Sequence, residues 1–462
     1  MEGFLEGFQK VVDAINGVVW GPVTLFLIVG TGVFLTIRLG FLQIRDLPYA
    51  LKLTFSRSKK KDDKAKGDIS HFQSLMTAMA ATLGIGNMTG VASAILLGGV
   101  GALFWMWLAA FFGMATKYGE AILAVKYRTV NHKGEISGGP MYYIEKGLGW
   151  KWLAILFALF GFLASFGIGN MTQSNTVAGS LQATFNINPW ITGFVLMVLT
   201  ALVLLGGIKG IGRVSAIFVP FMALFYMAGG LVIILLNITQ VPEAFLTIFH
   251  AAINPEAVGG GAIGLAIRYG IARGVFSNEA GLGSAPIAAA AAKTDYPGRQ
   301  ALVSMTGTFL DTMIVCTITG LVIVMSGLHL GLGPESQAVL TGAAFESFLP
   351  GIGNYVVVFG IIFFAYSTII GWSYYGEKCF GYIFGDQNTI YYKVIFCIMV
   401  MVGAGTSVGL VWDIADIFNG LMAIPNLIAL CLLSGVIVAE TNKFREVRAK
   451  EKLEEKRSKM AS

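Results

Sequence analysis

The sequence predicts an all-α protein that crosses a membrane many times, and three observations carry that prediction. Of 462 residues, 55% are hydrophobic and only 13% are charged, against about 25% charged in an average soluble domain. The mean hydropathy is +0.72. Long apolar runs alternate with short stretches that hold most of the charge, and about 20 apolar residues let a helix cross a hydrocarbon core of about 30 Å. Disorder, a coiled coil and a secreted disulfide scaffold are excluded on the same grounds.

Polar punctuation divides the chain into eleven apolar segments, near residues 18–38, 74–97, 100–126, 151–175, 190–206, 214–237, 260–285, 300–328, 351–377, 388–406 and 418–439. The first follows Glu2, Glu6 and Asp13 instead of a basic leader, and no small-residue cleavage motif comes after it, so it reads as a retained membrane helix. Cytoplasmic loops carry the excess of Lys and Arg. Nine of the 32 such residues lie between Arg38 and Lys66, and eight between Lys443 and Lys459. Connections on the same side hold Lys126, Arg128, Lys133, Lys209, Arg213, Lys293, Arg299 and Lys378, while the other side has Lys10 and acids such as Glu243, Glu256 and Glu335. A multi-pass protein of the cell membrane is therefore expected, with its N-terminus outside and its C-terminus in the cytoplasm. The net charge of +6 is this asymmetry and not a nucleic-acid surface. Lys59, Lys60, Lys61, Lys64 and Lys66 read as a solvated loop or as a contact with anionic lipid of the bilayer. Cys316, Cys379, Cys397 and Cys431 stand singly and read as packing residues. Four scattered histidines and no nucleotide-binding loop leave no enzyme to expect, and no cofactor.

Two segments depart from the helical pattern. The second contains Thr82-Leu83-Gly84-Ile85-Gly86-Asn87-Met88-Thr89-Gly90, and the seventh runs from Gly270 through Gly274 to Gly281 with Ser277, Asn278 and Glu279 beside the glycines. Glycine weakens a helix, and an unwound stretch at membrane depth must line a cavity, since lipid offers its backbone no hydrogen bonds. The alternative is close helix packing on glycine faces. Second and seventh of eleven are the first helices of two successive five-helix units, and an odd count starts the second unit from the opposite side. Paired interruptions in inverted halves point to the binding site of a secondary transporter. A channel also uses unwound backbone, but it is usually built around a symmetry axis from fewer spans per subunit. The implied division is 1–70, an extra helix and basic loop; 71–240 and 241–440, the two repeats; and 441–462, a charged tail.

The run Gly98-Gly99-Val100-Gly101-Ala102-Leu103-Phe104-Trp105-Met106-Trp107-Leu108-Ala109-Ala110-Phe111-Phe112-Gly113 resembles the signature of the alanine or glycine:cation symporters. Gly84 to Ala92 and Ser277 to Pro286 support the resemblance. It implies a leucine-transporter-like fold of five-plus-five inverted repeats preceded by one extra helix, and uptake of a small amino acid coupled to sodium or, in some members, to protons. Core helices one, three, six and eight would be the second, fourth, seventh and ninth segments. The aromatic signature itself reads as packing or interfacial side chains.

An amino-acid substrate brings a carboxylate, an ammonium and a side chain. Free N–H groups around Gly84 and Gly86, with Thr82 nearby, suit the carboxylate. Freed carbonyls from Gly274 through Val275 and Phe276 to Ser277, with Asn278 next to them, suit the ammonium. Asn170 and Gln173 share a helix face and serve either the ammonium or bonds between helices. In the ninth segment Phe364, Ser367, Thr368, Gly371, Trp372 and Tyr375 form one stripe. The resemblance implies that the Ser367 and Thr368 hydroxyls bind the coupling sodium, with the carbonyls of Ala80, Leu83 and Phe364; oxygen donors suit a hard cation. Read alone, these hydroxyls bond back to their own helix. Trp372 and Phe276 would wall a small side-chain pocket. Ionisable groups are costly within a span, and Arg273, Glu279 and Asp311 read as gating or structural charges, Asp311 being either proton-responsive or a buried acceptor.

Overall fold

A computed structural model describes residues 2–56, 66–254, 262–407 and 409–460. Lys59, Lys60, Lys61, Lys64 and Glu256 lie outside the described residues. Each of the eleven segments falls on helix. Eight described helices are long and apolar enough to cross a bilayer unaided, from Gly7–Leu39 to Gly409–Leu432. The three segments missing from that set are the two interrupted ones and Pro189–Leu204, which is 16 residues long.

The second segment is two half-helices, His71–Thr82 and Thr89–Gly98, joined by a single 3-10 turn at Ile85–Asn87. A capping box starts the first half: Ser70 Oγ accepts from the Gln73 amide at 3.1 Å, and Gln73 Oε1 accepts from the Ser70 amide at 3.0 Å. The seventh segment breaks later than its glycines suggest. Ala262–Asn278 is one continuous helix, and the chain unwinds only at 279–284, before Ala285–Ala290. Gly270 and Gly274 are packing glycines instead. A Cβ on Gly270 would lie 2.8 Å from Trp105 Cβ, and one on Gly274 3.1 Å from Met106 Cγ, so both let this helix press against Ala102–Lys126. The turn itself needs positive φ at Glu279 (56°), Gly281 (90°) and Gly283 (85°).

Two further irregularities interrupt long helices. The fourth segment runs from Lys151 to Phe185 with a π-helical stretch at Gly167–Met171, and the eighth carries another at Phe309–Cys316. The signature aromatics pack as expected: Trp107 donates to Thr317 Oγ1 at 2.8 Å, Trp105 to the Ala252 carbonyl at 3.2 Å, and Phe104 lies edge-on to Phe249.

The described connections rich in Lys and Arg come together at one end of the bundle, where Arg128 donates to the carbonyls of Lys66, Ala290 and Ala292 and the tail helix Ser434–Met460 is strapped across them. Lys126 pairs with Glu440 (2.6 Å), Arg299 with Asp295 and Glu451, and Arg448 with Asp46 (2.6 Å) while its guanidinium lies 3.7 Å from the centre of the Tyr49 ring. Burial pushes the Asp46 carboxyl up, but hydrogen bonds from Arg45 and Arg448 outweigh it and hold the group below the usual carboxylate range. A depressed folded value adds stability that is complete above the unfolded value of about 3.9 and lost only as pH falls through the folded one. Hydrogen exchange in the tail helix is therefore expected to be unchanged between pH 7 and pH 5 once corrected for intrinsic rates. Arg448→Ala, by removing about 1.4 kcal/mol of docking, should speed exchange about tenfold at pH 7. Equal rates in the variant would mean that Arg448 does not dock the tail.

Candidate substrate and cation site between the broken helices

The two interruptions meet in the middle of the bundle. Gly84 is extended, and a Cβ there would sit 2.6 Å from Thr368 Oγ1 and 3.7 Å from Gln173 Oε1, so only glycine lets the second, fourth and ninth segments converge. Gly86 lies against the other broken helix: a Cβ on it would be 3.2 Å from the Phe276 ring and 3.3 Å from Ser277 Cα. Gly371 permits the second crossing, since a Cβ there would meet the Ala81 amide nitrogen at 2.6 Å. Ala80 is buried one residue before that crossing.

Ser367 and Thr368 are both buried. Ser367 Oγ is 2.8 Å from the Phe364 carbonyl oxygen and 3.3 Å from that of Leu83; for Thr368 Oγ1 the distances are 3.0 and 3.4 Å. The hydroxyls thus bond back along their own helix and also face the carbonyl at which the second segment unwinds. Four of the five oxygens expected around a sodium ion are brought together.

The amide assignment at the break needs correcting. Gly84 N–H is already capped by Asn87 Oδ1 at 3.0 Å. Among the described residues the next two amides, Ile85 and Gly86, donate to no other protein group, which leaves those two for a carboxylate. Thr82 Oγ1 turns back to the carbonyls of Ala78 and Met79 and lines a cavity of about 10 Å³ toward the basic end.

The ammonium donors' acceptors separate in the same way. Because the helix persists to Asn278, the Gly274 carbonyl stays inside the helical ladder and that of Val275 accepts from Glu279 N–H at 2.8 Å. Of these four carbonyls, those of Phe276 and Ser277, in the last turn, accept from no backbone amide beyond the helix end among the described residues. Gln173 Nε2 is anchored on the Ile168 carbonyl at 3.0 Å, leaving Oε1 buried and unpartnered near Gly84. Asn170 likewise has a buried Oδ1 with no hydrogen-bond partner among the described residues, but its Nδ2 donates to the Phe396 carbonyl of the tenth segment at 2.7 Å, as a bond between helices. A buried orphan acceptor costs roughly 1–3 kcal/mol, and of these two Gln173 Oε1 is the one placed beside the Gly84 break.

Asp311 is a hydrogen-bond hub. Its carboxylate accepts from Asn87 Nδ2 (2.7 Å) in the first break, from Ser277 Oγ (2.9 Å) at the second, and from its neighbour Thr312 Oγ1 (2.7 Å). Asn278 closes the same knot through Thr312 Oγ1 and the Ala280 amide. Arg273 and Glu279 do not pair with each other: Glu279 accepts from Ser284 Oγ at 2.7 Å, while Arg273 lies over the Phe276 ring two turns earlier. Trp372 packs against Gly169 and faces Glu279, and Phe276 stacks on Trp412 at 6.4 Å and 13°. The two expected pocket walls therefore have different neighbours.

Two ionisable residues escaped the sequence reading, Lys117 and Glu120 of the third segment. Glu120 Oε1 accepts from the amides of Gly281 and Gly283, both at 3.1 Å, and from Asn426 Nδ2 at 2.6 Å, which ties the second break to the third and eleventh segments. Lys117 lines the small cavity beside Thr82, and its buried Nζ has no hydrogen-bond partner among the described residues. Charges in mid-segment were the available signal.

The chain is 59% identical over 450 residues to a protein of Methanococcus maripaludis described as sodium/alanine symporter AgcS, covering 96% of this chain and 99% of that one. It is 53% identical to an uncharacterized transporter of Haemophilus influenzae, covering 94% and 96%. The crystal structure of MhsT in complex with L-phenylalanine superposes with a TM-score of 0.60 at 17% identity, over 82% of this chain and 93% of that one, and so shares the leucine-transporter-like fold. The sequence pattern of the sodium:alanine symporter family matches residues 5–459; with two broken helices meeting at its centre and relatives matched nearly end to end, the chain belongs to that family.

Proposed function

We propose that the protein takes up a small neutral amino acid, alanine first and glycine or serine after it, driven by inward flow of sodium. The observation that carries the reading is the convergence at Gly84 of a buried, unpartnered acceptor, Gln173 Oε1, and two hydroxyls, Ser367 and Thr368. Sodium would sit among these hydroxyls and the carbonyls of Leu83, Phe364 and Ala80. The substrate carboxylate would take the Ile85 and Gly86 amides at the start of the second half-helix, and the ammonium Gln173 Oε1 with the Phe276 and Ser277 carbonyls. The halves 71–240 and 241–440 act as the inverted repeats, and the basic end faces the cytoplasm by its excess of Lys and Arg. Sodium ordering the unwound backbone, substrate then permitting the far side to close, gives alternating access.

Labelled alanine supplied to proteoliposomes tests this, with an inward sodium gradient against a matched potassium control. Accumulation that needs sodium and is competed by glycine supports the reading. Accumulation under a proton gradient alone would change the ion, and dissipative flux with no coupling would favour a channel.

Side-chain selection rests on Trp372, which fills the space that the missing Cβ of Gly169 leaves. Trp372→Ala removes a fully buried indole and should let leucine or phenylalanine compete for alanine uptake about tenfold better than in the parent protein. If their competition does not improve, Trp372 does not bound the pocket.

A further inference from the structure

The first segment ends, on the basic side of the bundle, in a corner that the central site does not use. Along Pro22–Leu39 the residues Val23, Phe26, Phe34 and Ile37 fall at i, i+3, i+11 and i+14, one helix face, and all four are exposed. On a membrane helix such a stripe meets acyl chains. The apolar exposure continues past the helix, with Phe41 at 49% and Ile44 at 63%. Phe41 has φ 52° and ψ 44°, a left-handed conformation that is costly for a residue with a Cβ. A ring held outward in that conformation gains nothing from water and finds apolar neighbours only in lipid.

Three guanidinium groups close the corner. Arg445 of the tail helix donates to the Leu39 carbonyl at 2.8 Å, and Arg45 Nη1 is 3.8 Å from where a Cβ on Gly40 would stand, so both lie against the Leu39–Gly40 peptide. Arg45 and Arg448 share a single carboxylate, Asp46, at 2.7 and 2.6 Å. Among the described residues no other acid pairs with the three: Glu440 is held by Lys126, and Glu446 forms no ion pair. Three bases thus face one acid. Arg45 uses Nε and Nη2 on Asp46, while its Nη1 donates to no group among the described residues. Arg445 Nε is buried without a partner. Arg38, one residue before Leu39, has no acidic partner either; it lies over the Phe34 ring and donates to Ser434 Oγ at 2.7 Å.

We propose that this corner is a binding site for an anionic phospholipid, whose phosphate sits on Arg45 and Arg445 at the Leu39–Gly40 peptide and whose acyl chains run along Ile37, Phe34 and Phe26. A guanidinium presents paired donors that match phosphate oxygens, and bases at the end of a membrane helix attract anionic head groups. A soluble phosphate would use the bases and leave the stripe bare; a phospholipid uses both. Arg45 belongs to the first segment's turn and Arg445 to the tail, so the head group clips the tail helix to the membrane. Nothing in this depends on which solute or ion is carried.

The full-length protein, stripped of lipid in detergent, is titrated with phosphatidylglycerol or with phosphatidylcholine of equal chain length, and bound lipid is counted by native mass spectrometry. The first phosphatidylglycerol is expected to bind about tenfold more tightly than the first phosphatidylcholine. Arg45→Gln and Arg445→Gln should each cut that preference to about threefold. Lys209→Gln, which removes an exposed base from another connection, should leave it unchanged. Hydrogen exchange locates the lipid, since phosphatidylglycerol should slow the amides of residues 40–46 about threefold and phosphatidylcholine should not.

Arg445→Gln also loses a bond to the Leu39 carbonyl and can loosen the tail, so Arg45→Gln, with a side chain already 48% exposed, decides if the other variant does not fold. Equal affinity for the two lipids overturns the site, as does a preference that persists undiminished in Arg45→Gln or exchange at residues 40–46 that phosphatidylglycerol leaves unaltered. Glycerol 1-phosphate in about tenfold excess should fail to displace the lipid, because it lacks the chains. Complete displacement would mean that the corner holds a soluble phosphate and not a lipid.

Discussion

Replacing Ser367 and Thr368 together with alanine is expected to raise the sodium concentration for half-maximal alanine uptake at least about tenfold, equivalent to about 1.4 kcal/mol of lost cation binding. The argument rests on two competing fates for these hydroxyls. Each donates to the Phe364 carbonyl, at 2.8 and 3.0 Å, in the manner of Ser and Thr that merely bond back along a helix. Each also lies 3.3 to 3.4 Å from the Leu83 carbonyl of a different helix, where the backbone has just unwound. Back-bonding alone predicts a variant that folds and keeps its sodium dependence. A cation between the two helices predicts a selective loss, in which uptake recovers at high sodium while the alanine concentration at half-maximal rate, measured at saturating sodium, moves little. Serine at position 368 should restore most of the lost affinity, because the hydroxyl oxygen and not the methyl is the donor. Unaltered sodium activation in the double variant would remove the ion from this crossing.

The second segment was legible because its glycines stand next to Thr82, Asn87 and Thr89 in an otherwise apolar run, and polar groups at that depth need an explanation. The seventh misled in its first half for a physical reason. Gly270 and Gly274 are four apart, which is the spacing of a helix face, and they serve the approach of Ala102–Lys126. Gly281 and Gly283 are two apart, a spacing no helix face uses, and they are the ones at positive φ. Spacing therefore held the distinction between packing and unwinding. The π-helical stretches around Asn170 and Asp311 left no trace, because a reading built on 3.6 residues per turn has no place for an extra residue.

Side-chain partnership was the least accessible layer. Asn170 and Gln173 are equivalent by spacing and each has a buried acceptor without a partner among the described residues, yet one donates to the tenth segment and only the other lies beside Gly84. The extra residue in Gly167–Met171 rotates the later turns of that helix relative to the earlier ones. Glu120 shows the same limit: a carboxylate in the third segment is visible in the sequence, whereas the two glycine amides it holds belong to a turn 161 and 163 residues further on.

Asp311→Ala should abolish uptake and lower the thermal stability of the protein in detergent. The carboxylate is fully buried and accepts three side-chain hydrogen bonds, one from each broken helix and one from its own. Truncation leaves the Asn87 amide and the Ser277 and Thr312 hydroxyls without that acceptor, at roughly 1–3 kcal/mol apiece where nothing replaces it. Cys316 Sγ, 3.3 Å from Asn87 Nδ2 and 3.4 Å from Ser277 Oγ, can take up only part of the loss, since sulfur is a weak acceptor. A net cost of about 3 kcal/mol is expected, in the range for breaking a buried polar network. Asp311→Asn separates structure from coupling. It retains the shape and one acceptor oxygen, so the melting temperature should recover most of its fall. Its oxygen can keep Asn87 Nδ2, while its amide nitrogen, a donor, replaces the oxygen that accepted from Ser277 and Thr312, so those two hydroxyls must turn to accept. Ser277 lies in the last turn of Ala262–Asn278, beside the carbonyls proposed for the ammonium, so its turning disturbs the substrate site and leaves Ser367 and Thr368 in place. The expected result is a stable protein whose half-saturation for alanine rises about tenfold with sodium activation little changed. A stable variant with unchanged kinetics would mean that the hub holds the fold together and does not set the geometry of the site.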